Sequence, residues 1–258
     1  MAGTTTDLAR LRAHRRALFE RSTSRAERFA HGAAYFTPAH PTKWDLNLLV
    51  VDDAAGTSAE TLIAESERLQ APAGLRHRKV EIHRGGEPLA GGFKAAGWTA
   101  ERVVVMLLRR GADRRGEAPA EVSEVEFPAV RDLMEQWYGE AMSSAEARDL
   151  ADADADTALT SGARFFLTDR DGAPAACCML LPGDGDGVGQ VEEVYTAKPY
   201  RGAGLASAVV RAAIAAAQGR GDELIMIMAD ADDWPQRLYE RLGFETVDEY
   251  RSFTRKPG

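Results

Sequence analysis

The chain has 258 residues, of which 45% are apolar and 28% charged, and its net charge is −8. That length suits one large domain or two modest ones, and the balance excludes collagen-like, disulfide-scaffold and disordered classes. The charge is uneven: residues 1–119 carry 19 Lys/Arg against 14 Asp/Glu (+5), while residues 120–258 carry 13 against 26 (−13). No stretch is basic enough to point to a nucleic-acid partner.

The longest apolar runs, such as 103–108, fall far short of the ~20 residues that a bilayer span needs, so no membrane partner is expected. Near the start, Asp7, Arg10, Arg12, Arg15 and Arg16 interrupt any apolar segment, so no secretory signal is expected and the expected location is the cytoplasm. The first half reads as strands at 33–37, 46–51 and 79–83, with a helix over 58–70 between the last two. The segment 111–119 (Gly-Ala-Asp-Arg-Arg-Gly-Glu-Ala-Pro) breaks the pattern and reads as a linker. The expected domains are therefore 1–115 and 120–258.

In the second half, Val130, Leu133, Met134, Trp137 and Met142 recur near helical spacing and predict a helix over 129–142, and a second helix is predicted over 144–159. Strands follow at 164–169 and 173–181, joined by the turn Asp169-Arg170-Asp171-Gly172. A strand over 190–197, a helix over 203–218 and a strand over 223–228 come next. A helix over 233–242 and a strand over 245–254 close the chain. Strand–helix–strand crossovers imply mixed sheets in an α/β or α+β class.

Phe93-Lys94-Ala95-Ala96-Gly97-Trp98 parallels Tyr239-Glu240-Arg241-Leu242-Gly243-Phe244. Both put a helix, a glycine stop and an aromatic strand start in the same order. With the strand–helix–strand order before each, this predicts a tandem duplication.

Chemistry concentrates after the predicted strand 190–197, where Arg201-Gly202-Ala203-Gly204-Leu205-Ala206 opens an alanine-rich helix. Glycines allow close backbone approach, and the helix start offers unpaired N–H groups and a positive dipole end, which suits a pyrophosphate. Arg201 can add charge-assisted bonds. No Gly-Lys-Ser/Thr follows, so this is not a nucleotide P-loop. A Gly-x-Gly-x-x-Gly fingerprint fails at Ser207.

The Arg-x-x-Gly-x-Ala segment resembles motif A of the GNAT superfamily of acyl-CoA-dependent N-acyltransferases. Downstream, the run 234–244 with its Leu-Tyr-x-x-x-Gly-Phe ending resembles the family's motif B. Two departures stand out: Pro199 lies two residues before Arg201 rather than three, and Asp232 stands where the family often has Asn.

The resemblance implies tandem GNAT-like domains, each a mixed, mostly antiparallel sheet flanked by helices. In the C-terminal domain two parallel strands would splay into a V and hold acetyl-CoA. Val194, Tyr195 and Thr196 would meet the pantetheine through their backbone. Arg201, Gly202, Ala203, Gly204, Leu205 and Ala206 would cradle the pyrophosphate, with Asp232 and Tyr239 also at the cofactor. Tyr239 would protonate the leaving thiolate, and Glu192 would serve as base.

All five histidines (His14, His31, His40, His77 and His83) lie in the first half. A base in the second half must therefore be a carboxylate, a tyrosine, a lysine or water, and Glu192, Glu193 and water stay open. Strand alternation would put the two glutamates on opposite faces. A backbone N–H near Val194 could stabilise an oxyanion.

The first half has Asp52 and Asp53 where phosphates would sit and Phe93 where the tyrosine would be, so it is expected to be a non-catalytic copy that walls part of the acceptor pocket. Cys177 and Cys178, the only cysteines, are expected to be buried reduced thiols, and no metal site is expected. The Asp152/Asp154/Asp156 and Asp184/Asp186 runs lack the glycine and glutamate of a calcium loop and read as solvated. Arg76-His77-Arg78-Lys79 reads as a short surface basic patch, with contact to the 3′-phosphate of CoA, if the two halves pack closely, as the alternative.

The expected function is acetyl transfer to a small-molecule amine. The alternatives are an acyl-CoA-binding regulatory protein without turnover and an acetyltransferase of protein or peptide amines.

Overall fold

The computed structural model describes residues 2–110 and 121–257; the expected linker and both domain boundaries lie outside the described residues. In chain order the helices and strands are α1 (Ala2–Ser22), β1 (Arg25–Phe29), β2 (Gly32–Phe36), β3 (Leu48–Val51), α2 (Ala59–Gln70), β4 (Arg78–Ile82), α3 (Ala90–Ala95), β5 (Thr99–Leu108) and β6 (Ser123–Val125). Then follow α4 (Pro128–Tyr138), α5 (Ser144–Ser161), β7 (Arg164–Arg170), β8 (Ala173–Pro182), β9 (Val188–Thr196), α6 (Leu205–Arg220), β10 (Leu224–Asp230), α7 (Pro235–Arg241) and β11 (Phe244–Arg255).

The strands form one eleven-stranded mixed sheet in the order β1-β2-β3-β4-β11-β5-β10-β9-β8-β7-β6, flanked by helices. The expectation of a separate sheet for each half is thus corrected. The reason is visible in two compact units, each of which takes part of its sheet from the other half of the sequence.

One unit comprises residues 19–105, 229–233 and 248–258. Here β1, β2 and β3 run antiparallel, β3 and β4 pair in parallel across the α2 crossover, and β11 closes onto β4 from Arg251↔Ile82 to Arg255↔Arg78. Ser58 caps α2 by accepting from the Thr61 N–H. The core gathers Phe36, Leu49, Leu62, Ile82, Phe93 and Trp98 with Phe253 of the last strand.

The other unit comprises residues 1–18, 106–228 and 234–247. In it β6 to β9 form an antiparallel series, and β9 and β10 pair in parallel across α6. Asp171 and Gly172, both at positive φ, make the tight turn between β7 and β8. A capping box of Ser143 and Glu146 starts α5, and Gly162 in the left-handed region ends it. The apolar stripe of α4 (Val130, Leu133, Met134 and Tyr138) packs with α5 against Cys177, Met179 and Leu181 of β8. On the opposite face α6 lies close to the sheet: the Cys178 thiol donates to the Val209 carbonyl at 3.3 Å. A Cβ on Gly189 would lie 3.2 Å from that of Ala217.

Two expectations about side chains fail. Asp154 is buried on α5 rather than solvated, and accepts from the Tyr138 hydroxyl at 2.5 Å. His77 and Arg78 are buried rather than forming a surface patch. Arg78 donates to Glu67 and to the carbonyls of Leu75 and His77, so its charge is spent inside the fold.

Candidate active site

Within the second unit, the registered pairs of β9 and β10 run from Leu224↔Val188 to Ile227↔Val191 and stop, although both strands continue. The two strands therefore splay, and the β10-facing edge of Val194–Thr196 is left for another partner. The same stretch carries a bulge. Tyr195 pairs with Cys177 and Glu192 with Met179, so Glu193 and Val194 together oppose Cys178. Glu193 takes φ +51°, a left-handed conformation rare for a residue with a side chain. The bulge breaks the simple alternation along the strand. Glu192 and Tyr195, opposite Met179 and Cys177, share one face of β9.

Beyond β9 a short 3-10 turn, Lys198–Tyr200, leads to the Arg201–Gly204 loop and then to α6. Gly202 and Gly204 sit at φ +81° and +79°, and a Cβ on either would meet open space. No side chain caps α6 at Gly204, so its first N–H groups and the positive dipole end face outward. Ala203 is exposed and Leu205 buried. The Thr196 hydroxyl oxygen is buried without a hydrogen-bond partner. These residues fit a diphosphate with an attached chain along β9: room, donors and an unused buried polar atom lie in sequence order.

Arg201 is anchored by three hydrogen bonds to two partners. Its Nε donates to the Thr196 carbonyl at 3.0 Å, and its Nη2 donates to both carboxylate oxygens of Glu140 at 2.9 and 3.0 Å. Glu140 also accepts from the Tyr195 hydroxyl at 2.7 Å and pairs with Lys198 at 3.5 Å. Desolvation works against its charge, but Tyr195 and Arg201 outweigh this and hold its carboxyl below the usual range. Burial, followed by the Glu140 contact, pushes the Tyr195 hydroxyl up to about 12. Trp137 stacks on both Tyr195 and Tyr138 with centroids 5.4 Å apart.

Tyr239, on α7, is only 6% exposed and packs edge-on to Phe244 at 6.3 Å. Burial, then the charge of Glu192, then Cys178, hold its phenol protonated above the ordinary range. Glu192 itself accepts from the Gln190 amide at 2.5 Å. Burial pushes the Cys177 thiol up to about 12, with the Glu193 and Asp154 charges adding, and Cys178 is raised as well. Both thiols are inert packing groups. Asp232 belongs to the other unit, where it pairs with Arg102 at 2.9 Å.

Glu140 and Trp137 are the site residues that sequence reading missed. Glu140 lies 61 residues before its guanidinium partner and in no motif, so no local signal could have found it. A cavity of about 480 Å³ lies at the other end of β10, lined by Arg109, Arg211, Gln218 and Ile225; its Arg109 is already paired with Asp7 at 2.8 Å.

Residues 128–244 match the acetyltransferase (GNAT) family model. This segment, which contains the splay, the glycine loop and Tyr239, is a GNAT-family domain. No curated protein matches the chain.

Among solved structures, the chain is similar to a conserved protein of unknown function from Staphylococcus epidermidis (10% identity, TM-score 0.72, covering 90% of this chain and 93% of that one). It is also similar to a GCN5-related N-acetyltransferase from Kribbella flavida (22% identity, TM-score 0.62, covering 97% and 96%). A third likeness is to a tandem GNAT protein from the clavulanic acid biosynthesis pathway (17% identity, TM-score 0.51, covering 77% and 70%). At these identities the likeness is one of fold. Among the described residues, no helix is long and apolar enough to cross a membrane.

Proposed function

We propose that the chain is an N-acetyltransferase that passes the acetyl group of acetyl-CoA directly to an amine, using only the site on β9, α6 and α7. The observation that carries this reading is the Tyr239 phenol. It is buried, held protonated and under the charge of Glu192, in the same unit as a strand splay and an uncapped glycine loop.

Acetyl-CoA, when bound, supplies an activated acyl group on a thiol leaving group. The loop 202–206 would hold its diphosphate through backbone N–H groups and the α6 dipole, and the freed edge at Val194–Thr196 would align the chain that carries the thioester. The bulge turns Val194 out of the ladder, so its N–H can face the oxygen on which negative charge develops.

An alkyl amine arrives largely protonated at neutral pH, and Glu192, directly or through water, would take its proton. Tyr239 would return a proton to the departing sulfur. A phenol this well shielded is a weaker acid than a thiol in water. The same desolvation raises the basicity of a thiolate beside it, which offsets part of that difference.

The first-half copy is proposed to be non-catalytic. Ser58 caps α2 where α6 is open, the Asp53 carboxylate accepts from the Ala55 N–H at 2.9 Å, and the fully buried Phe93 has no hydroxyl.

A thiol-release assay with acetyl-CoA and a panel of cationic and neutral amines tests the reading. Release that depends on an amine is expected. Calorimetric binding of acetyl-CoA with no release across the panel would replace it with a regulatory acyl-CoA-binding role.

A further inference from the structure

We propose that Glu140 is the positioning residue of the diphosphate cradle, and through it sets the preference for a full coenzyme over a thioester lacking the diphosphate; this rests on the acetyltransferase reading above. Glu140 lies just past the end of α4, and it hydrogen-bonds the first residue of the glycine loop, Arg201. Its carboxylate joins three groups of the proposed cofactor strand and loop: the Tyr195 hydroxyl at 2.7 Å, the Arg201 Nη2 at 2.9 and 3.0 Å, and the Lys198 ammonium at 3.5 Å.

The arginine's Nε is taken by the Thr196 carbonyl at 3.0 Å. With Nη2 on Glu140 and Nε on Thr196, the plane of the guanidinium is fixed and its Nη1 donors remain for an anion. A free arginine would have to give up its rotamer freedom when the anion binds, whereas a guanidinium already held does not.

Tyr195 extends the anchor into the core. Its ring stacks on Trp137 with planes 14° apart, and Trp137 stacks in turn on Tyr138. The cradle is thereby tied to α4 rather than to a surface loop, and the Tyr195–Glu140 contact lies on the face of β9 that also carries Glu192.

The negative charge of Glu140 acts in the opposite sense, because it lowers the positive potential that an anion meets. Pre-holding the side chain and weakening the potential predict opposite results when Glu140 is removed, so the sign of the effect decides between them.

The test compares kcat/KM for acetyl-CoA with that for S-acetylpantetheine, which has the thioester but no diphosphate. Glu140→Ala is expected to lower the preference for acetyl-CoA about five-fold. Glu140→Gln should lower it by about half that factor, since its carbonyl still accepts one N–H. Added to Arg201→Ala, Glu140→Ala should bring no further loss of preference.

A ratio left unmoved while both substrates slow equally would show a merely structural role and overturn the proposal. A ratio that rises in both variants would overturn it in favour of charge. Calorimetry with CoA separates the two levels: a wild-type chain that binds no CoA overturns the acetyltransferase reading together with this one, while normal wild-type binding with unchanged variants overturns this one alone.

Discussion

Phe253 of the last strand stacks on Phe93 of α3 with ring centroids 4.1 Å apart and planes 8° from parallel. Neither ring is exposed, and Trp98 meets Phe93 edge-on at 5.2 Å. The centre of the first-half core is therefore filled by a residue from the end of the second half. Phe253→Ala should destabilise the whole chain by about 3–5 kcal/mol, the usual cost of emptying a buried aromatic site, and Phe253→Leu by much less. Denaturant unfolding of the full chain measures both. A fragment ending at residue 110 lacks this ring and the β11 partner of β4, so it should give no cooperative thermal transition.

Tyr239→Phe should reduce turnover about 10²-fold while leaving the affinity for acetyl-CoA within about two-fold. The phenol acts in its protonated form, and burial together with the Glu192 charge moves its ionisation upward from the ordinary value near 10. Rising pH therefore removes the acid only above that ordinary value. The wild-type kcat profile should show no descending limb attributable to Tyr239 up to pH 10. A limb falling below pH 9 and absent from the phenylalanine variant would contradict this.

What the sequence made legible follows from how local each signal is. The two motifs were readable because loop, helix start and αL glycine stop are set by adjacent residues. Gly97 and Gly243, at φ +80° and +100°, end α3 and α7 alike, and each is followed by an aromatic ring edge-on to the helix residue.

The exchange of β5 and β11 was not readable, because strand alternation says which face a residue takes but not which strand it lies beside. The bulge at Glu193 was hidden for a related reason: one extra residue leaves the composition of a strand unchanged. Helix α1 was missed because its sequence has no apolar stripe of helical period; its buried positions, Leu11, His14, Arg15 and Leu18, mix apolar with charged groups. Glu140 was missed because its partners come from a distant strand and loop.

Gly204→Ala tests the cradle without altering charge. The added Cβ would meet no atom within 4 Å, so its penalty comes only from holding an L-residue at φ +79°, about 1–2 kcal/mol. If the loop must keep this shape to bind a diphosphate, acetyl-CoA affinity should fall about ten-fold. Gly219→Ala is the matched control, because this glycine lies inside α6, has no positive φ, and its Cβ also meets open space. There alanine should stabilise the chain by about 0.5–1 kcal/mol and leave binding unchanged.

His77 makes a pH-dependent contribution in the other unit. Its buried Nε2–H donates to the Asn47 carbonyl at 2.9 Å, which also accepts from the Gln70 amide at 2.8 Å, and its ring stacks on Trp44 at 5.2 Å. Burial, with the nearby Lys79 and Arg78 charges, lowers its pKa from 6.5 to about 4. Between those values the unfolded chain takes up a proton that the folded one refuses, so stability falls as pH drops from about 6.5 toward about 4. At about 1.4 kcal/mol per pH unit the total loss is about 3 kcal/mol. The carboxylates held low by their partners, Glu67 and Glu140 among them, add their own loss only below pH 4.5. Unfolding free energies measured from pH 7 to 4.5 should therefore slope downward in the wild type and flatten in His77→Gln, even though the variant is less stable at pH 7. An unchanged slope would assign the acid sensitivity to another group.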